Sequence, residues 1–283
     1  MRVLLNRTAL VTGASRGIGI HLVRALAEEN MNVVLSGVSQ SELSQAEKTL
    51  SKSGARVISV PTDLEDRVAV ESLIATATKE FGAIDILVNN AGIESFFPYH
   101  KLRIDYIERI IRVNLTSAMI LTRLVLPGML ARRTGHVVNM SSLSGKAGPP
   151  CSEPYVATKA GLIAFTESLR AEYAGTGVGF SVIVPGFVET GIYQRVVEET
   201  GLKAPALLGT SQPDAVARAM VRAIKKNLPE VIINPGPTRL LTTLAEISPA
   251  LGEWLMRRVG AVDWFINVAR IREQKQNSHT EQT

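Results

Sequence analysis

Seven short apolar runs rich in β-branched residues punctuate this 283-residue chain, at 8–12, 32–36, 55–60, 84–88, 135–140, 179–184 and 230–234. Each is too short for a helix and lacks the polar alternation of a strand with one face in water, which is the pattern of strands covered on both sides. Between them lie stretches with helical periodicity, for example 17–29, 65–80, 115–132, 155–173 and 213–226. Strand, helix and strand in that order close as βαβ units, whose right-handed crossovers build a parallel sheet with helices on both faces. The expected fold is therefore α/β: one doubly wound domain over residues 1–235 with a seven-stranded parallel sheet, then a helical C-terminal extension over 236–283 ending in a polar, disordered tail.

Other classes are narrowed by composition. The chain is 46% hydrophobic and 20% charged, as globular proteins are. Its formal charge of +5 is a mild excess spread along the chain. That excess suits anionic small molecules, and no basic cluster interleaved with aromatics marks a nucleic-acid binder. Cys151 is the one cysteine, so no intrachain disulfide can form, which fits a reducing compartment. The histidines show no ligand-like spacing, and no metal site is expected. The N-terminal "MRVLLNRTALVTG" lacks a signal sequence's apolar core, and no apolar run reads as long enough to span a bilayer. A cytoplasmic protein is expected.

The turn after the first strand reads "TGASRGIG", residues 12–19, and opens the first helix. Gly13, Gly17 and Gly19 stand where the backbone must turn sharply and approach a ligand, with Ser15, Arg16 and Ile18 between them. Unpaired N–H groups and the positive dipole end of a helix make such a turn a pyrophosphate site, the mark of a Rossmann-type dinucleotide-binding domain. The spacing is G-x3-G-x-G rather than G-x-G-x-x-G. The second strand ends in Gly37 and Val38, with no carboxylate for a ribose 2′-hydroxyl. Arg16 is placed to meet a 2′-phosphate, which favours NADP(H) over NAD(H); the alternative is a solvated loop side chain.

The stretch "SEPYVATKAG" sets Tyr155 and Lys159 one helical turn apart. Taken alone, such a pair is better explained by a solvated helix face. With "TDLE" at 62–65, "NNAG" at 89–92, "NMSS" at 139–142 and "VPGFVET" at 184–190, each at a strand's C-terminal end, it resembles the short-chain dehydrogenase/reductase family over residues 7–234.

The resemblance implies hydride transfer between a nicotinamide cofactor and a carbonyl or secondary alcohol. Tyr155 would be the proton donor or acceptor, its phenol made more acidic by the Lys159 ammonium. Lys159 would also hold the nicotinamide ribose, and Ser142, thirteen residues before Tyr155, would bond the substrate oxygen. Ser141 is the less favoured of the two serines. Asn114 matches an asparagine that holds a relay water, although Asn at a helix start is also simply a good N-cap. Cofactor contacts carry over to Asp63 and Leu64 at the adenine, and to Asn89, Ala91 and Gly92 along the ribose and phosphates. Pro185, Gly186, Val188 and Thr190 would lie near the carboxamide.

After residue 235 the likeness stops. Residues 237–270 read as two or three short helices separated by Pro249 and Gly260, and carry both tryptophans. Packing on the domain or a partner, a cover over an apolar pocket, and shallow membrane contact all remain open. The segments expected around the pocket, 93–101, 143–154 and 187–209, are mostly apolar, which suits a lipophilic substrate: a ketone, a steroid-like compound or a 3-oxoacyl group. The helix at 114–130 is apolar on more than one side, so a homodimer or homotetramer is expected. The competing functional reading is a catalytically idle NADP(H)-binding regulator or scaffold, which would need neither Ser142 nor the Tyr155–Lys159 pair.

Overall fold

In a computed structural model, residues 3–51, 54–236 and 238–280 are described, with all their side chains except those of Pro249, His279 and Thr280. Met1, Arg2 and the last three residues of the expected tail lie outside the described residues. The seven apolar runs form β1 (Thr8–Thr12), β2 (Asn32–Gly37), β3 (Val57–Pro61), β4 (Ile86–Asn89), β5 (Gly135–Met140), β6 (Val178–Pro185) and β7 (Glu230–Ile233). They pair in parallel in the order β3-β2-β1-β4-β5-β6-β7. The direction of winding reverses between β1 and β4, which opens a crevice at the strands' carboxyl ends.

Strand pleating decides which helix layer each residue meets. Ala9 and Val11 of β1, with Val33 and Leu35 of β2, face α1 (Ile18–Glu28), α2 (Gln40–Ser51) and α9 (Pro213–Lys226). Leu10 and Val34 face the opposite way, into a core with α3 (Arg67–Phe81), α5 (Ser117–Ala131) and α7 (Glu153–Glu172). Leu121 on α5 is fully buried there, and truncating it to Ala should cost about 2–5 kcal/mol. The helix ends follow local chemistry. The Asp66 carboxylate accepts the Val68 N–H at 2.8 Å to start α3, and Gly82 ends it at φ 79°.

One helix departs from expectation. Asn114 was expected at a helix start, but α4 (Ile104–Ile111) runs through a π-turn at Arg112–Thr116 directly into α5. Asn114 thus sits mid-helix and caps nothing. The joined stretch Ile104–Ala131 spans 28 residues with a mean hydropathy of 1.4 in its most apolar window, long and apolar enough to cross a membrane by length and composition alone. The sequence sets the helix at 114–130, and its continuation back to Ile104 through the π-turn is what lengthens the run. Here its inner face packs on α3, β4 and β5.

Pro249 and Gly260 do separate three C-terminal helices: α10 (Thr238–Ile247), α11 (Pro249–Arg258) and α12 (Ala261–Thr280). The polar stretch expected as a disordered tail is instead helical to Thr280, because ion pairs tie its flank to the domain. Arg272 pairs with Glu94 and Glu199, and Lys101 with Glu273. Trp264, Phe265 and Val268 of α12 form an apolar cluster with Phe96 and Val196 that is separate from both sheet cores.

Candidate active site

The glycine loop between β1 and α1 is close-packed. At φ +62°, Gly13 lies so near the turn after β4 that an added Cβ would come 2.9 Å from the Ala91 Cα. A Cβ on Gly19 would overlap the Gly13 carbonyl. Only hydrogen fits at either place, and the loop amides therefore come close to whatever the crevice holds. From this loop a cavity of about 700 Å³ runs along the carboxyl ends of the strands to an aromatic end wall. Gly13, Ser15, Arg16, Gly17, Ile18, Asp63, Leu64, Ala91 and Gly92 line its first part. Ser142, Tyr155, Lys159, Pro185, Gly186, Val188 and Thr190 line the middle.

Three of the expected residues do not line the cavity: Asn89, Gly19 and Asn114, the last buried at the edge of the cleft. Asn89 is buried beneath the sheet, its Nδ2 donating to Asn139 Oδ1 at 2.8 Å. The alternation of the strand turns the next residue the other way. Asn90 lines the cavity and donates to the Thr12 and Gly13 carbonyls at 2.9 and 3.1 Å. Gly19 does not line the cavity and acts through loop packing.

The cluster around Tyr155 is almost entirely out of water. The Ser142 hydroxyl, which accepts the Ser144 N–H at 3.1 Å, lies beside the Tyr155 hydroxyl. Ser141 turns inward and donates to the Lys159 backbone carbonyl at 2.7 Å, which leaves Ser142 as the serine in contact with the phenol. Lys159 Nζ donates to the Met140 carbonyl at 2.8 Å and lies 5.5 Å from the centre of the Tyr155 ring. A Cβ on Gly92 would stand 3.4 Å from Lys159 Nζ and 3.5 Å from Asn114 Oδ1, so both polar groups border one point of the cleft. The Asn114 carboxamide accepts the Ile93 N–H and donates to the Ile93 carbonyl, both at 2.8 Å, and its Nδ2 also reaches Thr158 Oγ1 at 3.2 Å. It clamps the segment after β4 against α7.

The electrostatics correct the simplest expectation for the phenol. Burial pushes Tyr155 up to about 12, the Ser142 hydroxyl pulls the other way, and the Glu94 charge adds to the rise. Burial lowers Lys159 to about 8. Desolvation thus dominates both groups in the protein by itself, and Lys159 faces the ring and a carbonyl rather than the hydroxyl.

The far end of the cavity is built from rings that, Phe187 apart, the motifs do not contain. Phe96 meets Tyr155 edge to face at 6.2 Å, Phe265 at 5.2 Å and Trp264 at 6.2 Å. Phe187 packs on Trp264 at 4.9 Å and Tyr193 at 5.5 Å. Leu241 and Ala245 of α10 and Leu255 and Met256 of α11 complete the lining. Of the three readings for the C-terminal helices, the cover over an apolar pocket and packing on the domain are the same arrangement. The sequence placed 93–101 and 187–209 near the pocket but held no signal for which rings meet. At the opposite end, Glu42 was unforeseen: it accepts from Ser15 Oγ at 2.9 Å and pairs with Arg16 at 3.6 Å.

A family profile described as short chain dehydrogenase matches residues 7–201, more than half of the chain. The protein belongs to that family. As a short chain dehydrogenase it is an NAD(P)-dependent oxidoreductase that acts on a small-molecule carbonyl or its alcohol. It is similar to the ketoacyl reductase HetN of Nostoc sp., with 41% identity over 93% of each chain. A 3-oxoacyl-[acyl-carrier-protein] reductase of Synechocystis sp. is 34% identical over 77% of this chain and 88% of its own. Among solved structures, a variant of actinorhodin polyketide ketoreductase with NADPH superposes with a TM-score of 0.77 at 29% identity, over 82% of this chain and 97% of that one. The family match ends before α9 and the three C-terminal helices, so the cover over the cavity lies outside what that match describes.

Proposed function

We propose that this short chain dehydrogenase is an NADP(H)-dependent reductase of a lipophilic carbonyl compound, a ketone of 3-oxoacyl or steroid-like type. The observation that carries this reading is the position of Tyr155 and Ser142, side by side where the glycine-lined crevice meets the aromatic wall. NADPH, when bound, supplies the hydride. Tyr155 gives its hydroxyl proton to the carbonyl oxygen, and Ser142 steadies the negative charge that develops there. A phenol held fully protonated by burial suits the donor role in reduction. Lys159 would bind the nicotinamide ribose through Nζ, and Asn114 keeps the segment bearing Gly92 in line with it.

Preference for NADP(H) rests on Arg16. Its pairing with Glu42 is long and exposed, worth well under about 1 kcal/mol, so the guanidinium is available to a 2′-phosphate. The apolar, ring-lined end of the cavity supports a lipophilic substrate, and the ketoacyl names of the relatives agree with it. Exposed Met119 and Leu124 on α5, with Ile104 and Ile111 on α4, support a homo-oligomer; a monomer in sedimentation at micromolar concentration would overturn that part. The central test is Tyr155→Phe assayed with NADPH on a panel of apolar ketones. Turnover should fall by about a thousandfold or more while NADPH affinity is kept, and retained turnover would remove Tyr155 as the proton donor.

A further inference from the structure

Arg272 lies on α12, past the residues the family profile matches. Its Nη1 donates to both Glu94 carboxylate oxygens at 2.9 Å, and its Nε and Nη2 donate to Glu199 Oε2 at 3.0 and 2.7 Å. Glu199 belongs to α8 (Gly191–Thr200). The Arg272 and Glu94 side chains are 19% and 10% exposed, and removing Arg272 would leave the sheltered Glu94 charge without its ion-pair partner. The same Glu94 carboxylate accepts the Phe96 N–H at 2.8 Å, and the Arg272 guanidinium lies 5.7 Å from the centre of the Phe96 ring. Phe96 in turn packs its ring against Tyr155. A series of direct contacts therefore leads from the C-terminal helix to the phenol.

We propose that Arg272 is a positioning residue for Tyr155: it holds Glu94, and with it the Phe96 ring, against the phenol, and it offsets part of the Glu94 charge that the phenol faces. The inference rests on the reading of Tyr155 as proton donor. Other groups around the pair are Lys159 on α7 and the Ser142 hydroxyl at Tyr155, Tyr106 and Arg109 on α4, and Arg195 and Glu199 on α8. Tyr106 is occupied with the Glu94 backbone carbonyl, to which its hydroxyl donates at 2.8 Å. Among the described residues, Arg272 is the cation in direct ion pairing with Glu94.

The test is the pH dependence of kcat/KM for alcohol oxidation, a reaction that needs the phenolate, together with Tm, for the wild type, Arg272→Met, Glu94→Gln and the double variant. Arg272→Met should move the rising limb to higher pH by about half a unit to one unit and lower kcat/KM by about ten- to a hundredfold. Glu94→Gln keeps an oxygen for both the guanidinium and the Phe96 N–H but loses the charge, so its limb should move to lower pH. The double variant should bring the limb back near the wild-type position. An unchanged limb in all variants, with only Tm lowered, would make the pair a structural tie and overturn the proposal. If Arg272→Met does not fold, Glu94→Gln decides by itself, since an unmoved limb at wild-type Tm has the same meaning. Turnover surviving Tyr155→Phe would overturn the proton-donor reading and this inference with it, whereas an immovable limb in an enzyme that needs Tyr155 overturns the inference alone.

Discussion

The two ends of the cavity are made of different material. At the glycine-loop end the walls are backbone: Gly13 against Ala91, Gly19 against Gly13, and Asn90 tying two turns together through main-chain carbonyls. At the far end the walls are side chains, rings from the segments after β4 and β6 meeting rings from α12. Backbone walls tolerate almost no added atom but ask little of residue identity elsewhere. Ring walls can be resized one residue at a time without disturbing the sheet. A chain of this build can therefore keep one cofactor and change its substrate, and Tyr155 stands at the boundary between the two ends.

If that contrast is right, Gly19→Ala should be the most damaging change at the first end. NADPH binding measured by fluorescence titration should weaken by about 100-fold, since the added methyl must displace the Gly13 carbonyl. Unaltered binding would mean that the loop is not the nucleotide cradle. At the ring end, Phe187→Ala should change the ratio of kcat/KM between bulky and small ketones by about tenfold, with NADPH affinity unmoved. Loss of cofactor affinity there would show that the two ends are not separable. Arg16→Ala should raise the KM for NADPH by several-fold to about tenfold and leave NADH unaffected, and Glu42→Gln should move the ratio the opposite way. Equal effects on both cofactors would remove the 2′-phosphate contact.

The smallest effect belongs to the boundary. With Lys159 lowered to about 8 from 10.5, the unfolded chain holds more protons than the folded one between those values, so wild-type stability rises with pH across that window. The Tm of Lys159→Met minus that of the wild type should therefore decline from pH 8 to pH 10. A constant difference would mean that the ammonium is not desolvated.

The same contrast governs what could be read from the sequence. The strands, the crossovers and the glycine loop were legible because each is specified locally, by a run of apolar residues or a few glycines in a turn. Tyr155, Ser142 and Lys159 were legible as a pattern of spacing, and the structure brings them together. Asn89 misled because a doubled asparagine does not announce which of the two the strand turns inward. The acidity of Tyr155 runs opposite to what its spacing from Lys159 implies for the protein alone, because burial is a property of the packed state. Trp264 and Arg272 lie far from Phe96 in the chain, and no local signal brings them to it.

The π-turn at Arg112–Thr116 carries one residue more than regular winding needs. Each residue advances an α-helix by about 100°, so a single-residue deletion there would restore the ordinary spiral and swing Asn114 off Ile93 without removing any group named in the chemistry. An indel scan across the segment, rather than substitution of its side chains, would expose how much of the cleft's alignment is stored in that irregularity.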